Sequence, residues 1–440
     1  MLTLRETATQ VARKLIDSGH ETFFAGGCVR DQLLELTPKD YDLATSATPE
    51  EVQALFPHTN AVGAHFGVIL VKENKHHLEV ATFRNDGSYK DGRRPESVTF
   101  TNAKEDAYRR DFTINGLFQN PLTGEVIDYV DGQSDLSAQV IRAIGDPSSR
   151  FQEDALRLLR AIRFTVKTNF AIEEETWAAI KEHAPLLSQI SPERIRDEFS
   201  HIIAHPNRAL GLQLLLDSGL SDQFLPELRD LVGCEQPPQW HPEGDVFTHT
   251  KIALDLLAED SSLELCLGVL LHDIGKPATY EWDEKDQRIR FSGHDAVGAE
   301  MAEGILRRLR YSNDTIADVR EMVARHMQFM NVQQMRESKL KRFMARETFP
   351  QEMELHRVDC ASSNGFTDNY DFLTAKADEF SKAPLIPQSL VRGKDLIDLG
   401  QSPGPHFRVI LEDIQNRQLE GSLTSREEAL SLLPQLLKNH

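Results

Sequence analysis

The 440-residue sequence has few cysteines, no long apolar run and no excess of basic residues. Its four cysteines, Cys28, Cys234, Cys266 and Cys360, are widely spaced, so neither a disulfide framework nor a thiolate zinc site is expected. No run approaches the roughly 18 apolar residues that span a bilayer, and the N-terminus lacks the pattern of a signal peptide. We therefore expect a cytoplasmic protein without a membrane partner.

The formal net charge of the chain is −20 at pH 7. Proteins that bind nucleic acid through diffuse electrostatics usually carry a basic face that releases counterions. Any contact with RNA must therefore use local basic patches, and no DNA partner is expected. The length of the chain suggests several domains.

Secondary-structure signals divide the chain into a mixed first part and a helical remainder. Short β-rich runs alternate with helical stretches up to about residue 145, and beyond Asp146 apolar residues recur at helical spacing. Stretches rich in proline or glycine at 236–244 and 384–387 are candidate boundaries. The predicted fold class is α+β. We expect a head with a mixed sheet at 1–145, a helical neck at 146–235, a helical domain at 236–385 and a helical tail at 386–440.

Two carboxylates, Asp40 and Asp42, follow a glycine pair and an arginine near the start of the chain. If Asp40 and Asp42 lie on a strand, they point to the same face and can share a divalent ion. The turn at Gly26 and Gly27 allows backbone N–H groups to approach phosphates, and Arg30 can clamp their charge. This pattern is typical of phosphoryl or nucleotidyl transfer.

Glu79 is the third candidate carboxylate. It stands among alternating apolar residues of a predicted neighbouring strand, where an ionised carboxylate would be expensive to bury without a partner. A shared metal would explain its presence, since three carboxylates can hold two Mg²⁺ ions about 4 Å apart.

The first 165 residues resemble the class II tRNA nucleotidyltransferase family, which also contains bacterial poly(A) polymerases. The motifs that carry the resemblance are Gly26-Gly27-x-x-Arg30-Asp31, Asp40-x-Asp42, the segment 84–95, the segment 109–115 and Glu153-Asp154-x-x-Arg157. The resemblance implies a polymerase β-like head, CTP and ATP as donors and the tRNA 3′ end as acceptor. It also implies that Asp40 and Asp42 bind Mg²⁺, that Glu79 is the third catalytic carboxylate, and that Gly27, Arg30 and Arg110 contact the nucleotide.

The family motifs bring further residues into the predicted site. Asp111 and Asn115 belong to the segment 109–115, and Arg84, Arg93 and Arg94 belong to the glycine- and charge-rich segment 84–95. In the family the latter region is a flexible lever needed for the final addition of A, and enzymes that add only C lack it. The resemblance therefore argues against a CC-only enzyme.

Asp154 and Arg157 offer a way to choose C and A without a template. On a helix, two residues three apart are neighbours on one face, so an acceptor lies beside a donor. Cytosine and adenine each present an amino donor next to a ring nitrogen acceptor, whereas uracil and guanine present the reverse order. We expect Glu153 to hold Arg157 in place, and Arg160 and Arg163 to reach the triphosphate or the acceptor end.

Histidines and aspartates in the later half suggest a second site. Imidazole and carboxylate groups on separate helices, with an adjacent His272-Asp273 pair, suit one or two divalent ions in a helical bundle. The pattern resembles the HD phosphohydrolase domain. By that resemblance His249, His272, Asp273 and Asp359 are the core ligands of an unidentified divalent metal, and His294 and His326 complete a two-metal centre.

These observations predict a tRNA nucleotidyltransferase that builds or repairs the 3′ CCA end with a single active site. The nearest alternative is an enzyme that adds only the terminal A. Another is a metal-dependent phosphohydrolase with a nucleotide-binding head. Poly(A) polymerase is disfavoured because no basic tail suits long RNA, and a non-catalytic RNA-binding protein is disfavoured because carboxylates repel RNA unless metal neutralises them.

Overall fold

The computed structural model describes residues 2–63, 67–86, 98–381 and 384–438. The chain divides into two compact units. Unit 1 comprises residues 1–229 together with 308–311, and unit 2 comprises residues 230–307 together with 312–440. Within the described ranges, no helix combines the length and apolar character that crossing a bilayer requires.

A mixed sheet dominates the first part of unit 1. In the described residues its strand order is β3-β4-β5-β2-β1-β8-β9, with β2 parallel to β5 and the other neighbours antiparallel. A separate pair joins β6 to β7. The strands are β1 (Thr22–Ala25), β2 (Leu43–Thr45), β3 (Thr59–Gly63), β4 (Val68–Glu73), β5 (His76–Thr82), β6 (Arg84–Asp86), β7 (Val98–Phe100), β8 (Phe118–Gln119) and β9 (Val126–Ile127).

Aromatic side chains form the core beneath this sheet. Phe23 on β1, Phe83 after β5 and Phe118 on β8 are buried and contact each other at ring-centroid distances of 5.9 to 6.2 Å. Every residue of β1 is buried, so this central strand is fixed from both faces. The head helices are α1 (Leu4–Asp17), α2 (Gly27–Leu33), α3 (Pro49–Leu55), α4 (Ala103–Tyr108) and α5 (Gly132–Ala138).

Helices follow the head within unit 1. They are α6 (Pro147–Glu153), α7 (Leu156–Thr168), α8 (Glu174–His183), α9 (Pro192–Ile203), α10 (Arg208–Asp217) and α11 (Glu227–Asp230). Strands β10 (Val140–Ile141) and β11 (Ala171–Ile172) form a short parallel pair. Helix α7 packs against α9 and α10, and Glu198 of α9 pairs with Arg160 and Arg163 of α7.

Unit 2 consists mainly of helices. They are α12 (Val246–Asp255), α13 (Leu263–Leu271), α14 (His294–Arg308), α15 (Asn313–Arg325), α16 (Glu337–Met344), α17 (Phe349–Ser362), α18 (Asp368–Phe380), α19 (Gly393–Asp398), α20 (Pro405–Leu419) and α21 (Arg426–Leu436). The last three of these helices bury their own apolar cluster, centred on Leu396, Ile410 and Leu433. Helices α12, α13, α15 and α17 pack together. His249 lies on α12 and Asp359 on α17, while His272 and Asp273 follow the end of α13 and His326 follows the end of α15.

The predicted fold class, a mixed sheet followed by helices, is confirmed. The prediction that everything after the head is helical is wrong in two places. Strand β11 lies within the predicted helical neck and pairs with β10, and strands β12 (Tyr280–Asp283) and β13 (Arg288–Phe291) form an antiparallel hairpin in unit 2. Its sequence alternates aromatic or apolar residues with charged ones, as a strand does. The finer division into four domains stays a prediction.

Candidate functional sites

Asp40 and Asp42 lie side by side on the open surface of unit 1. Both are exposed, while Tyr41 between them is buried with its ring 5.1 Å from that of Phe24. If the pair lay on a strand, it would have to lie within β2. Both residues precede β2, which begins at Leu43, so the pair is not on a strand. The N–H of Ala25 still donates to the carbonyl of Asp42 at 3.0 Å, which keeps the segment aligned with the sheet.

Glu79 stands beside Asp42 on the neighbouring strand. Leu43 pairs with Val80 in the parallel register of β2 and β5. The preceding residues, Asp42 and Glu79, are therefore also adjacent. The expectation that Glu79 lies in an apolar environment is wrong, since β5 turns Leu78 and Val80 inward and leaves Glu79 exposed. Its carboxylate therefore shares the open side of the sheet with Asp42.

The pKa of the Asp42 carboxyl is raised to about 7. Desolvation by the surrounding protein is the main cause, and the negative charges of Asp40 and Glu79 add to it, while Arg110 opposes the shift. A carboxylate crowded by like charges is stabilised by a bound cation. The three oxygen donors therefore fit a hard divalent cation such as Mg²⁺.

The turn before helix α2 favours glycine. Gly26 has φ of +68°, and a Cβ atom there would lie 2.8 Å from Nη1 of Arg110. Arg110 also donates from Nη1 to the carbonyl of Asn115, and Asp106 accepts from both Arg109 and Arg110. The glycine therefore lets a fixed guanidinium approach the backbone of the turn.

Arg30 is buried and held on two sides. Its guanidinium donates to Asp31 at 2.6 and 2.8 Å and to Oδ1 of Asn115 at 2.5 Å. Lys167 donates to Asp31 at 3.0 Å, so one carboxylate holds two cations. This network fixes positive charge in the wall of the same cavity as Asp40.

Asp154 and Arg157 are not on one helix. The expectation that one helix carries both residues is wrong because Asp154 has extended backbone angles between α6 and α7. Its Oδ1 accepts from the N–H of Leu156 at 3.0 Å, which competes with helix continuation and starts α7. The two side chains nevertheless line the same cavity.

Each of these two side chains is tied to a partner. Oδ2 of Asp154 accepts from Arg194 on α9 at 2.8 Å. Arg157 is buried and donates to Oε2 of Glu153 at 2.6 Å and to the carbonyl of Arg109 at 3.0 Å. The contact from Glu153 is the one that the sequence predicts.

The remaining arginines of α7 border the same space. Arg160 donates twice to Oδ2 of Asp111. Desolvation raises the pKa of Asp111, but Arg160 together with hydrogen bonds from Asn115 and the N–H of Phe112 holds it well below the usual range. Arg163 forms an ion pair with Glu198 at 2.6 Å. The guanidinium groups of Arg30, Arg160 and Arg163 all lie within about 5 Å of the Phe164 ring.

A cavity of about 620 Å³ in unit 1 collects most of the predicted residues. Sequence reasoning missed several of its lining residues, including Lys39, Lys167 and Arg194. Lys39 directly precedes the Asp40-x-Asp42 motif, whereas Lys167 and Arg194 lie outside the motifs. Arg84 contributes its carbonyl to Arg109 rather than a side chain to the cavity lining. Arg93 and Arg94 lie outside the described residues. Predicted residues in the lining are Gly26, Gly27, Arg30, Asp40, Asp42, Arg110, Asp111, Asn115, Asp154, Arg157, Arg160 and Arg163.

The second site, in unit 2, is centred on Asp273 just beyond the end of α13. Its Oδ2 lies 3.2 Å from Nε2 of His272 and 3.7 Å from Nε2 of His249. Its Oδ1 lies 3.4 Å from Nε2 of His294 and 3.8 Å from Nε2 of His326. One buried carboxylate therefore joins two histidine pairs.

Asp359 completes the first of these pairs. Its Oδ1 lies 3.1 Å from Nε2 of His249 and 3.9 Å from Nε2 of His272. Hydrogen bonds to Asp359 and Glu243 outweigh desolvation and raise the pKa of His249 to about 9, whereas burial lowers that of His326 to about 4. The structure brings all six predicted residues of this site together.

The histidines are oriented by hydrogen bonds at their other ring nitrogen. Nδ1 of His272, His294 and His326 donates to backbone carbonyls at 2.7 to 2.8 Å. Each Nε2 is thus left with a lone pair that faces the centre, which is how metal-bound imidazoles are usually held. Imidazole nitrogens with carboxylates suit a transition-metal ion.

Sequence reasoning missed three residues around this centre. Glu243 accepts from Nδ1 of His249 at 2.7 Å and contacts Nδ1 of His241 at 2.9 Å. Lys276 lies 2.7 Å from Oδ2 of Asp273. The sequence analysis included His241 and Glu243 only as part of a candidate boundary. The spacing of three residues between Asp273 and Lys276 is the signal that could have found Lys276.

Comparison with known proteins identifies three regions. A profile of the poly A polymerase head domain matches residues 22–142, one of a probable RNA-binding site of the same polymerase matches 169–231, and one of the HD domain matches 241–359. The chain is thus similar to poly A polymerases in its head and RNA-binding regions and to HD domains further along. These are the resemblances that the motifs predicted, and the nucleotidyltransferase and HD families depend on metal ions.

Relatives and solved structures resemble the chain to different extents. The CCA-adding enzyme of Limosilactobacillus reuteri is 40% identical over 59% of this chain and 65% of its own length. That of Enterococcus faecalis is 47% identical over 51% of this chain and 55% of its own length. The matches thus span about 55 to 65% of these two relatives. The CCA-adding enzyme of Bacillus stearothermophilus, solved with CTP, superposes with a TM-score of 0.77 at 25% identity, covering 100% of both chains.

Proposed function

We propose that this chain adds C and A from CTP and ATP to the 3′ end of tRNA, builds or repairs the CCA end, and releases pyrophosphate. One observation carries this proposal: a single cavity is lined by Asp40 and Asp42 and also by Asp154 and Arg157. Carboxylates for phosphoryl chemistry thus share a cavity with an acceptor and a donor suited to a base edge. The resemblance to structures titled as complexes with CTP, ATP and tRNA supports the choice of substrates.

In the proposed reaction the terminal ribose hydroxyl attacks the α-phosphate. A new P–O bond forms to the ribose oxygen while the bond between the α-phosphorus and the bridging oxygen breaks, so pyrophosphate leaves. Mg²⁺ held by Asp40 and Asp42, with Glu79 as third carboxylate, would lower the pKa of the hydroxyl and neutralise phosphate charge. Arg30 and Lys167 supply fixed positive charge in the cavity wall.

We propose that Asp154 and Arg157 read the base. The carboxylate accepts from the exocyclic amino group of C or A, and the guanidinium donates to the ring nitrogen beside it. With uracil or guanine the carboxylate faces an acceptor and the guanidinium faces a donor. Each group that is left without a hydrogen-bond partner costs about 1–3 kcal/mol of binding free energy. The contacts from Arg194 and Glu153 hold the two side chains, so the pair is set before a nucleotide arrives.

Three tRNA substrates test this proposal. The purified chain is incubated with CTP and ATP and with tRNA that ends before CCA, after the first C, or after CC. We expect all three to be completed to CCA. Addition of A to the CC-ending tRNA without any incorporation of CTP would replace the proposal with the A-adding alternative, and unlimited A addition to unstructured RNA would favour a poly(A) polymerase.

The geometry of unit 2 supports a second candidate function. We propose that it hydrolyses phosphoesters such as 2′,3′-cyclic ends, because four histidine Nε2 atoms converge on Asp273 and Asp359. A divalent ion held by these residues would activate water and polarise the phosphoester. Hydrolysis of a cyclic phosphate by the wild type that is lost in His272→Ala tests this proposal, while absence of hydrolysis with Mg²⁺, Mn²⁺, Ni²⁺ or Zn²⁺ would reject it.

The cytoplasm remains the proposed location. Cys28, Cys234, Cys266 and Cys360 form no disulfide bonds, which suits a reducing compartment.

A further inference from the structure

The hairpin β12–β13 presents an aromatic face that the proposed functions do not use. Tyr280 and Trp282 are two apart on β12 and therefore share a face, which also includes their cross-strand partners Phe291 and Ile289. Tyr280 is 47% exposed and Trp282 is 50% exposed. Two large aromatic side chains are thus half in water on a hairpin of only two strands.

The opposite face of the same hairpin has a different character. It presents Glu281, Asp283, Arg288 and Arg290, and Arg290 forms an ion pair with Asp283 at 2.6 Å. Paired charged residues of this kind are typical of a strand face that contacts water. Both faces of β12 are exposed, but only one of them bears aromatic side chains.

The aromatic face is continuous with the histidine centre of unit 2. The Phe291 ring lies 5.9 Å from that of Tyr280 and 6.5 Å from that of His294. The carbonyl of Phe291 accepts from Nδ1 of His294 at 2.8 Å. A row of rings therefore runs from a proposed metal ligand to the exposed side chains of β12.

Lys276 supplies a second connection between the hairpin and the centre. Its Nζ lies 5.5 Å from the centroid of the Phe291 ring and 2.7 Å from Oδ2 of Asp273. Only the short turn Pro277–Thr279 separates Lys276 from β12. The chain thus fixes the start of the aromatic face directly beside the carboxylate that joins the two histidine pairs.

We propose that Tyr280 and Trp282 form a stacking platform for the nucleobase of a nucleoside phosphate whose phosphate group lies at the histidine centre. This inference rests on the proposed hydrolase function of unit 2. An anionic phosphoester is the substrate that a divalent centre attracts, and a half-exposed aromatic face next to it matches the flat, weakly polar surface of a base. The platform selects nucleotides over phosphoesters that lack a base.

Two cyclic phosphates distinguish base stacking on Tyr280 and Trp282 from the hydrolysis step itself. Adenosine 2′,3′-cyclic phosphate carries a base, and ribose 2′,3′-cyclic phosphate does not. In Trp282→Ala we expect KM for the adenosine compound to rise about tenfold, in line with the loss of one base–aromatic stack, with kcat little changed. Kinetics with the ribose compound should be unaffected. Glu281→Ala, on the charged face of the same strand, is the matched control and should behave as wild type with both compounds.

Fluorescence gives a readout that does not depend on turnover. The chain has three tryptophans, so Trp177→Phe with Trp240→Phe leaves Trp282 as the only emitting tryptophan. With Mg²⁺ present, adenosine 2′-monophosphate should quench its emission saturably, and ribose 5-phosphate should not. Because Trp282 reports only its own surroundings, nucleotide bound elsewhere in the chain does not contribute.

The possible outcomes distinguish the two proposals. Hydrolysis with an unchanged KM in Trp282→Ala, or no saturable quenching of Trp282, would overturn the platform while leaving the hydrolase function. Absence of hydrolysis by the wild type would overturn the hydrolase function, and the fluorescence titration would then decide nucleotide binding by itself.

Discussion

Arg194 on α9 donates from Nη2 to Oδ2 of Asp154 across 2.8 Å. The two residues are 40 apart in the sequence, and no local pattern connects them. The contact matters because Asp154 lies in a break between α6 and α7, where no helix fixes its side chain. We infer that Arg194 holds the acceptor half of the proposed base reader.

Removing this arginine should weaken nucleotide selection. In Arg194→Ala we expect kcat/KM for CTP and ATP to fall roughly 10- to 100-fold, the range that corresponds to losing one group aligned with the base. Misincorporation of UTP relative to CTP should rise. Arg196→Ala on the same helix is the control, because Arg196 pairs with Asp197 and with the carbonyl of Arg310. Equal effects of the two substitutions would contradict the role of Arg194.

The glycine turn gives a second prediction. Gly26→Ala should raise KM for both nucleotides severalfold, because its Cβ would displace the Arg110 guanidinium from 2.8 Å away. Gly124 also has a positive φ, +77°, but nothing lies within 4 Å of a Cβ there. Both substitutions should lower the free energy of unfolding by about 1 kcal/mol. Only Gly26→Ala should raise KM, and Gly124→Ala should leave KM unchanged. Steady-state kinetics together with thermal unfolding separate the two effects.

Asp106 gives a prediction on acid stability. Desolvation opposes its charge, but Arg110 and Arg109 more than compensate and lower its pKa. The pKa of Asp106 is lower in the folded state than in the unfolded state. The carboxylate therefore adds to the free energy of unfolding above pH 4, and this contribution is lost as the pH falls through the folded pKa. Asp106→Asn should lower the free energy of unfolding by roughly 3 kcal/mol at pH 7. Urea titrations should show this difference shrinking below pH 4, and a difference that is constant with pH would contradict it.

The two sites should be separable by substitution. His272→Ala should abolish hydrolysis of a cyclic phosphate and leave nucleotide addition to tRNA within about twofold of wild type. Asp42→Asn should do the reverse and reduce nucleotide addition by three orders of magnitude or more, as loss of a metal-binding carboxylate usually does. If Asp42→Asn instead left the principal activity of the chain intact while His272→Ala abolished it, the alternative of a phosphohydrolase with a nucleotide-binding head would gain support.

The sequence predicted those parts of the site that local motifs encode. Asp40, Asp42 and the glycine turn fall within a 17-residue segment, and the register of β2 and β5 then brings Glu79 to Asp42. The class of fold followed from the change in periodicity near residue 145. Likewise, the six residues of the histidine centre were identified because His272-Asp273 is a recognisable motif.

Other features could not be read from the sequence because they depend on tertiary contacts. The break at Asp154 is set by a side chain that bonds to Leu156 N in competition with the helix. The side chain of Glu79 is exposed because it points to the open side of the sheet. Successive side chains of a strand point to opposite sides, so a one-residue error in assigning the sides reverses the predicted burial of Glu79. Arg194 reaches Asp154 only because α9 packs against α7.

The central claim is that one cavity serves both nucleotides, and the Arg157→Ala variant tests it most directly. The measurement is single-turnover addition of labelled CTP to tRNA lacking CCA and of labelled ATP to tRNA ending in CC. We predict that both rates fall by similar factors, because the same guanidinium donates to the ring nitrogen of either base. Loss of one rate with the other preserved would show that C and A are read by different groups and would contradict the account.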